Sequence, residues 1–213
     1  MQLTYNNQTP LAGGCFEPND SGISRFGHAV IEEMNRLGMI VDLSHAGRQT
    51  CLDAISLSSK PVAISHANPQ FFHKSIRNID EEVLKKDLLR KIQRIRYGKN
   101  GYVFISDYSG TFLAHVKPSF VGQNRLEKTD EKGYFTVKGI VDTAKKGEGF
   151  ISYVGSIKPS TGESAEKTTF VKGFDEWGWA IGSGAYSSDI NEDIFLRQTQ
   201  SYGKNKEQIT KGT

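Results

Sequence analysis

The chain has 213 residues, 37% of them hydrophobic, with a formal net charge of +3. That length holds one large domain or two small ones with an ordinary core. Charges of both signs are spread along the chain without a basic arm, which argues against a nucleic-acid partner, and no apolar run reaches the ~18–20 residues of a membrane span. Cys15 and Cys51 form no CxxC pattern and leave the redox compartment open. The start, "MQLTYNNQTPLAGG", lacks a basic stretch followed by an apolar one, so the expectation is a soluble chain without a signal peptide.

The first predicted element is a helix over 25–37, with Phe26, Val30, Met34 and Leu37 at helical spacing, Ser24 as cap and Gly38 as stop. "MIVDLSH" then reads as a buried strand. "RQTCLDAISLS" reads as a helix with Cys51, Leu52 and Ile55 on one side, and Pro61 opens a second strand, "VAISH". This is a βαβ unit, whose strands run parallel and lie side by side.

Both strands end in Ser-His, placing His45 and His66 at the carboxyl edge. Adjacent strands lie ~4.8 Å apart, so two imidazoles from equivalent positions reach one metal ion. The alternative is that each histidine caps its strand and bonds to backbone. His28 on the helix and His73 in a loop have no spacing that would complete a metal site.

The blocks "LTYNN", "GGCFEPNDSGISRFG", "EEMNRLGMIVDLSHAGRQTCLDAI", "KPVAISHANP" and "RNIDEEVLK" resemble the later part of the membrane (renal) dipeptidase family, zinc peptidases on a (β/α)₈ barrel. The resemblance covers about residues 2–86. It implies that His45 and His66 descend from ligands of one zinc, and that Arg77 descends from the arginine that holds the substrate carboxylate. It also implies a His-x-Asp pair, a bridging glutamate and a further acid, none of which has a counterpart here; many relatives carry histidine where this chain has Tyr5. Catalytic zinc needs three protein ligands and an open position. The expectation is an incomplete site that requires no cofactor but at which zinc is possible, with zinc-dependent dipeptide hydrolysis as the alternative function.

A charged amphipathic helix is predicted over 80–96, with Val83, Leu84, Leu88, Ile92 and Ile95 as its stripe. The dipeptidase resemblance fades inside it, near Lys86. A hairpin follows, "GYVFISDYSGTFLAHV", then a short helix in "FTVKGIVDTAKKG" with Phe135, Ile140 and Ala144 inward. Three strands come next, "GFISYVGS", "KTTFVKGF" and "GWAIGSGAY", and then a closing helix, "SSDINEDIFLRQ". The expected class is α+β: a five-stranded antiparallel sheet preceded by a βαβ barrel fragment. The expected organisation is 1–86, 87–195 and a polar tail over 196–213.

"IRYGKNGYVFISDYSGTFLAH", "GEGFISYV" and "FVKGFDEWGWAIGSGAYSSDI" resemble a single Cache domain, the PAS-like extracytoplasmic sensor of bacterial chemoreceptors and sensor kinases. That resemblance implies a small-molecule ligand, an organic acid or amino acid, bound in a pocket over the sheet. It implies a membrane link only through segments outside these residues, and it allows a homodimer through terminal helices. Tyr102, Phe104, His115, Tyr153 and Lys167 are the expected ligand contacts, with Lys172 a further candidate cation. Aromatics at alternating strand positions are more often plain core than ligand contacts. Trp177 and Trp179 read as packing around a turn, and Gly182 and Gly184 as sites of close backbone approach or a bulge.

Overall fold

Ser24 opens α1 (Arg25–Leu37) by accepting a hydrogen bond from the Gly27 N–H at 3.0 Å, and Gly38 closes it in the left-handed region. Both caps match the sequence reading. The buried face differs: Gly27, Ile31, Met34 and Asn35 point inward, while Phe26 and Leu37 are exposed. The reason is Gly27. The Leu11 carbonyl oxygen lies 2.1 Å from where a Cβ on residue 27 would sit, so the helix approaches its neighbours along its glycine side.

The computed structural model describes residues 1–197 and divides into two compact units, Met1–Lys91 and a second beginning at Ile92. The expected tail beyond 197 lies outside the described residues. In the first unit, α2 (Arg48–Leu57) buries Cys51, Leu52 and Ile55 as expected. The two predicted strands are parallel neighbours: the Leu43 N–H donates to Ala63 O at 2.8 Å and the Ala63 N–H to Val41 O at 2.9 Å. They do not become regular strands, because side chains replace the ladder. Ser44 Oγ accepts from the Ser65 and His66 N–H groups, and Asp42 Oδ1 accepts from the Ser44 N–H. A third parallel segment, unforeseen in the sequence, lies alongside: the Asp42 N–H donates to Met1 O. Val41, Leu43, Val62, Ile31 and Ile55 form the core.

Helix α3 (Glu81–Gln93) begins at Asp80, whose Oδ1 accepts the Val83 N–H at 2.9 Å. It ends three residues short of the predicted 96, because Arg96 and Tyr97 pair with the sheet instead. Val83 and Ile92 are buried, whereas Leu88 and Ile95 are exposed.

The second unit is an antiparallel sheet of β1 (Arg96–Tyr97), β2 (Gly101–Asp107), β3 (Phe112–Ala114), β4 (Glu148–Ile157), β5 (Ser164–Phe174) and β6 (Trp179–Tyr186). The order is β1-β2-β6-β5-β4, with β3 also paired to β2. The five expected strands are present, and two-residue β1 is added. Helix α4 (Thr136–Lys145) covers one face through Val137, Ile140, Val141 and Ala144. Phe135, expected inward, is exposed at the helix start. Residues 187–197 are helical, as expected. Among the described residues, no helix is long and apolar enough to cross a membrane.

The register explains the glycines of β6. Phe104 stands opposite Gly182, and its ring tip lies 2.2 Å from where a Cβ on residue 182 would be. The pairing of β6 is unbroken there, so the glycine serves close approach and not a bulge. Trp177 and Trp179 pack edge to face at 4.7 Å around the last turn.

Candidate functional site

Side chains alternate along a strand, so Tyr102 and Phe104 of β2, Tyr153 of β4, and Lys167, Thr169 and Val171 of β5 all face α4. Between that face, α4 and the connection after β3 lies a cavity of ≈ 480 Å³, within the range of small-molecule sites. Tyr102, Phe104, His115 and Tyr153 line it, as do Phe112, Phe120, Ile140, Arg125 and Lys128, which the sequence reading missed. Lys172 has the opposite parity to Lys167. It is exposed and pairs with Glu148 at 3.0 Å on the other face, so it is not a site cation.

Lys167 does not line the cavity directly. It sits behind the wall, fully buried, with Tyr153 and Tyr186 as its neighbours across the ladder. Its Nζ lies 3.7 Å from the Tyr102 ring centroid and has no hydrogen-bond partner among the described residues. Burial brings this amine from 10.5 down to about 7. His115 is held by Phe112 and Phe120 at ring distances of 5.0 and 4.9 Å. Its Nδ1 accepts the Lys117 N–H at 3.0 Å, which leaves the proton on Nε2. Burial, and then the Lys167 charge, lower this ring to about 4. It is therefore a neutral donor at ordinary pH. Burial also pushes the Tyr153 phenol up to about 12, and its hydroxyl lies 2.9 Å from Thr169 Oγ1.

The cavity wall carries one acid, Asp130, and its oxygens are committed. Oδ1 accepts from the Lys132 and Tyr134 N–H groups and Oδ2 from the Val154 N–H. Of the wall cations, Lys158 is paired with Asp189 at 2.5 Å. Arg125 lies 4.1 Å over the Phe120 ring. The site is thus aromatic, electropositive and without a free carboxylate.

In the first unit the paired histidines do meet. Their Nε2 atoms lie 2.9 Å apart, one donating and the other accepting. His45 adopts φ 70, a left-handed conformation rare outside glycine, which turns its ring under Tyr5 at 4.2 Å. Asn6 Oδ1 lies 2.7 Å from its Nδ1. On the other side, Ser65 Oγ lies 2.7 Å from His66 Nδ1 and donates to Asp42 Oδ2 at 2.5 Å. Burial raises the Asp42 carboxyl, but hydrogen bonds from Ser65 and Ser44 outweigh it and bring the group down to about 2. Arg77 joins the cluster, with Nη2 2.8 Å from His45 Nε2 and donating to His66 O at 3.2 Å.

This donor set does not fit zinc. The nitrogen a metal would use on His45 faces the Arg77 guanidinium, and no group of three His, Cys, Asp or Glu side chains gathers among the described residues. His28 pairs with Glu32 at an exposed helix position. Cys15 and Cys51 are buried as free thiols.

The second unit is thus an antiparallel sheet with a cavity on its helix-covered face. The chain belongs to the family described as Single Cache domain 2, whose profile matches residues 73–198. Residues 1–91 match the membrane dipeptidase family, Peptidase family M19. A sensor histidine kinase of Rhizobium johnstonii, MctS, is 38% identical over 112 residues, 52% of this chain and 24% of the kinase. Dipeptidase 3 of Mus musculus is 37% identical over 97 residues, 43% of this chain and 19% of that protein. The chain therefore spans a quarter or less of the curated relatives it matches. A Cache chemosensory domain solved in a study of carboxylic acid recognition is 30% identical, with a TM-score of 0.48 over 55% of this chain and 78% of that one.

Proposed function

We propose that the second unit is the ligand-sensing part of a signalling protein and binds a small organic acid through its carboxylate. The observation that carries this reading is the cavity's imbalance of charge. Arg125 and Lys128 stand on its wall, Lys167 lies behind it without a partner, and Asp130 is spent on backbone. A buried carboxylate needs charge-assisted donors, and His115 Nε2, Tyr102 and Tyr153 add neutral ones. The same argument favours an organic acid over an amino acid, whose ammonium group would find no free carboxylate on the wall. The aromatic walls suit a short apolar tail.

A thermal-shift series tests this with acetate, propionate, pyruvate and succinate against acetamide and propionamide. A carboxylate at 100 times its dissociation constant adds ~2.7 kcal/mol, on the order of 10 °C for a unit of this size. Equal shifts from acids and their amides would remove the carboxylate reading. His115→Ala should weaken the acid response more than it weakens the fold.

We infer further that the dipeptidase-like unit is catalytically incomplete in this chain. The His45–His66 contact is capped by Arg77, and a two-metal hydrolytic site needs a bridging carboxylate. Purified chain with added zinc should leave a dipeptide intact over hours. Zinc-dependent turnover lost in His45→Ala would show the opposite.

A further inference from the structure

We propose that the cavity takes up its ligand as an acid in the net sense: the anion enters the cavity and one proton is bound at the same time by Lys167. This rests on the carboxylate reading above and adds how the site is regulated. Lys167 is fully exposed to neither water nor a counter-ion. Rings surround it, Tyr102 at 3.7 Å, Tyr186 at 5.3 Å and Phe104 at 5.8 Å from Nζ. Ring faces attract an ammonium group but do not neutralise it. Of the charged groups near the wall, Asp130 is held by three backbone N–H groups, Lys158 is paired with Asp189, and Arg125 and Lys117 lie over Phe120. No carboxylate faces the amine from β2, β4, β6 or α4 among the described residues, so in the empty cavity its neutral form is favoured above about pH 7.

A ligand carboxylate against Tyr102, Tyr153 and His115 supplies the missing negative charge. An opposite charge a few ångströms away favours the protonated amine. Proton uptake is then linked to binding, and affinity must fall as the proton becomes scarcer. Two neutral donors at the wall lie away from the window: burial holds His115 near 4 and Tyr153 near 12. The Lys167 amine, brought to about 7, is the group that titrates where this linkage would act. A sensor built this way reads the product of anion and proton, which rises steeply as its surroundings acidify.

The test is calorimetry on the full chain with the tightest of acetate, propionate, pyruvate and succinate, in buffers of different ionisation enthalpy. The expected result is uptake approaching one proton per ligand above about pH 8. The dissociation constant should rise roughly tenfold per pH unit between about 7.5 and 9.5 and be flat below about 6. Propionamide should bind, if at all, without proton uptake. Lys167→Met should lose most acid affinity, and what remains should not depend on pH. Acid binding that is flat from about pH 6 to 9.5, with heats independent of buffer, would overturn the proton linkage and leave the carboxylate site standing. A pH slope retained in Lys167→Met would also overturn it. Failure of all four acids to bind at any pH would overturn the carboxylate reading itself, and the linkage with it.

Discussion

Lys167→Met should make the ligand-free chain more stable while it removes most of the affinity for acids. The two effects have one cause. In the unfolded chain the amine titrates near 10.5 and in the folded one near 7. A gap of that size corresponds to ~4–5 kcal/mol lost on burying the charge. Attraction to the three surrounding rings offsets part of that loss, and methionine fills nearly the same volume. The expected gain is therefore about 2–4 kcal/mol. Its pH dependence has a definite sign. Between about 7 and 10.5 the unfolded state binds more protons than the folded one, so the wild type gains stability as pH rises through that window. The variant lacks this slope, so its advantage is largest below about pH 7 and closes by about pH 10. Thermal melts of both proteins at pH 6, 8 and 10 measure it. A variant less stable than the wild type at pH 6, with the same slope, would mean that the amine is hydrated or paired in solution. A gain of the expected size would mean that the site keeps its function at the expense of stability, a common trade at binding sites.

Much of this arrangement is legible in the sequence because it follows strict periods. Residues 102, 104 and 167 are assigned to the cavity side by alternation along strands, and the caps of α1 by Ser24 and Gly38. The same rule, applied along β5, separates Lys167 from Lys172, which five residues of strand must place on opposite faces. Other features escape because they depend on contacts far apart in the chain. Arg125 and Lys128 come from an irregular connection with no period to read. The stripe of α1 is rotated by the approach of Leu11 to Gly27, which no helical count contains. His45 and His66 lie at one sheet edge as their repeated Ser-His phrase implies. That Arg77 closes on them follows only from the fold of the loop between 66 and 77. The charge of Lys167 is visible in the sequence, whereas its lack of a partner is not, since that is a statement about every neighbour at once.

Gly182→Ala should cost the second unit about 2–4 kcal/mol, an unusual penalty for adding one methyl group to a strand. A Cβ at this position meets the Phe104 ring at 2.2 Å, far inside contact distance. The backbone cannot yield easily, because β6 is hydrogen-bonded on both sides, to Phe104 in β2 and to Val171 in β5. The ring must move instead. Phe104 is almost fully buried and packs edge to face with Phe112 at 5.9 Å, so the open direction for it is the cavity that it lines. Overpacking of this kind typically costs 1–3 kcal/mol, and loss of the ring's packing adds to it. The displaced ring should also occupy ligand space, so acid affinity should fall together with stability. Phe104→Leu in the same chain tests the cause. Leucine is shorter at the tip, so the double variant should recover part of the loss. The two substitutions should then be non-additive by about 1–2 kcal/mol, as expected for residues in direct contact. Denaturant melts of the wild type, both single variants and the double variant close this cycle. An additive cycle, or a Gly182→Ala protein within about 0.5 kcal/mol of the wild type, would show that the ring is not seated on the glycine. In that case the cavity wall would be set by something other than this cross-strand pair.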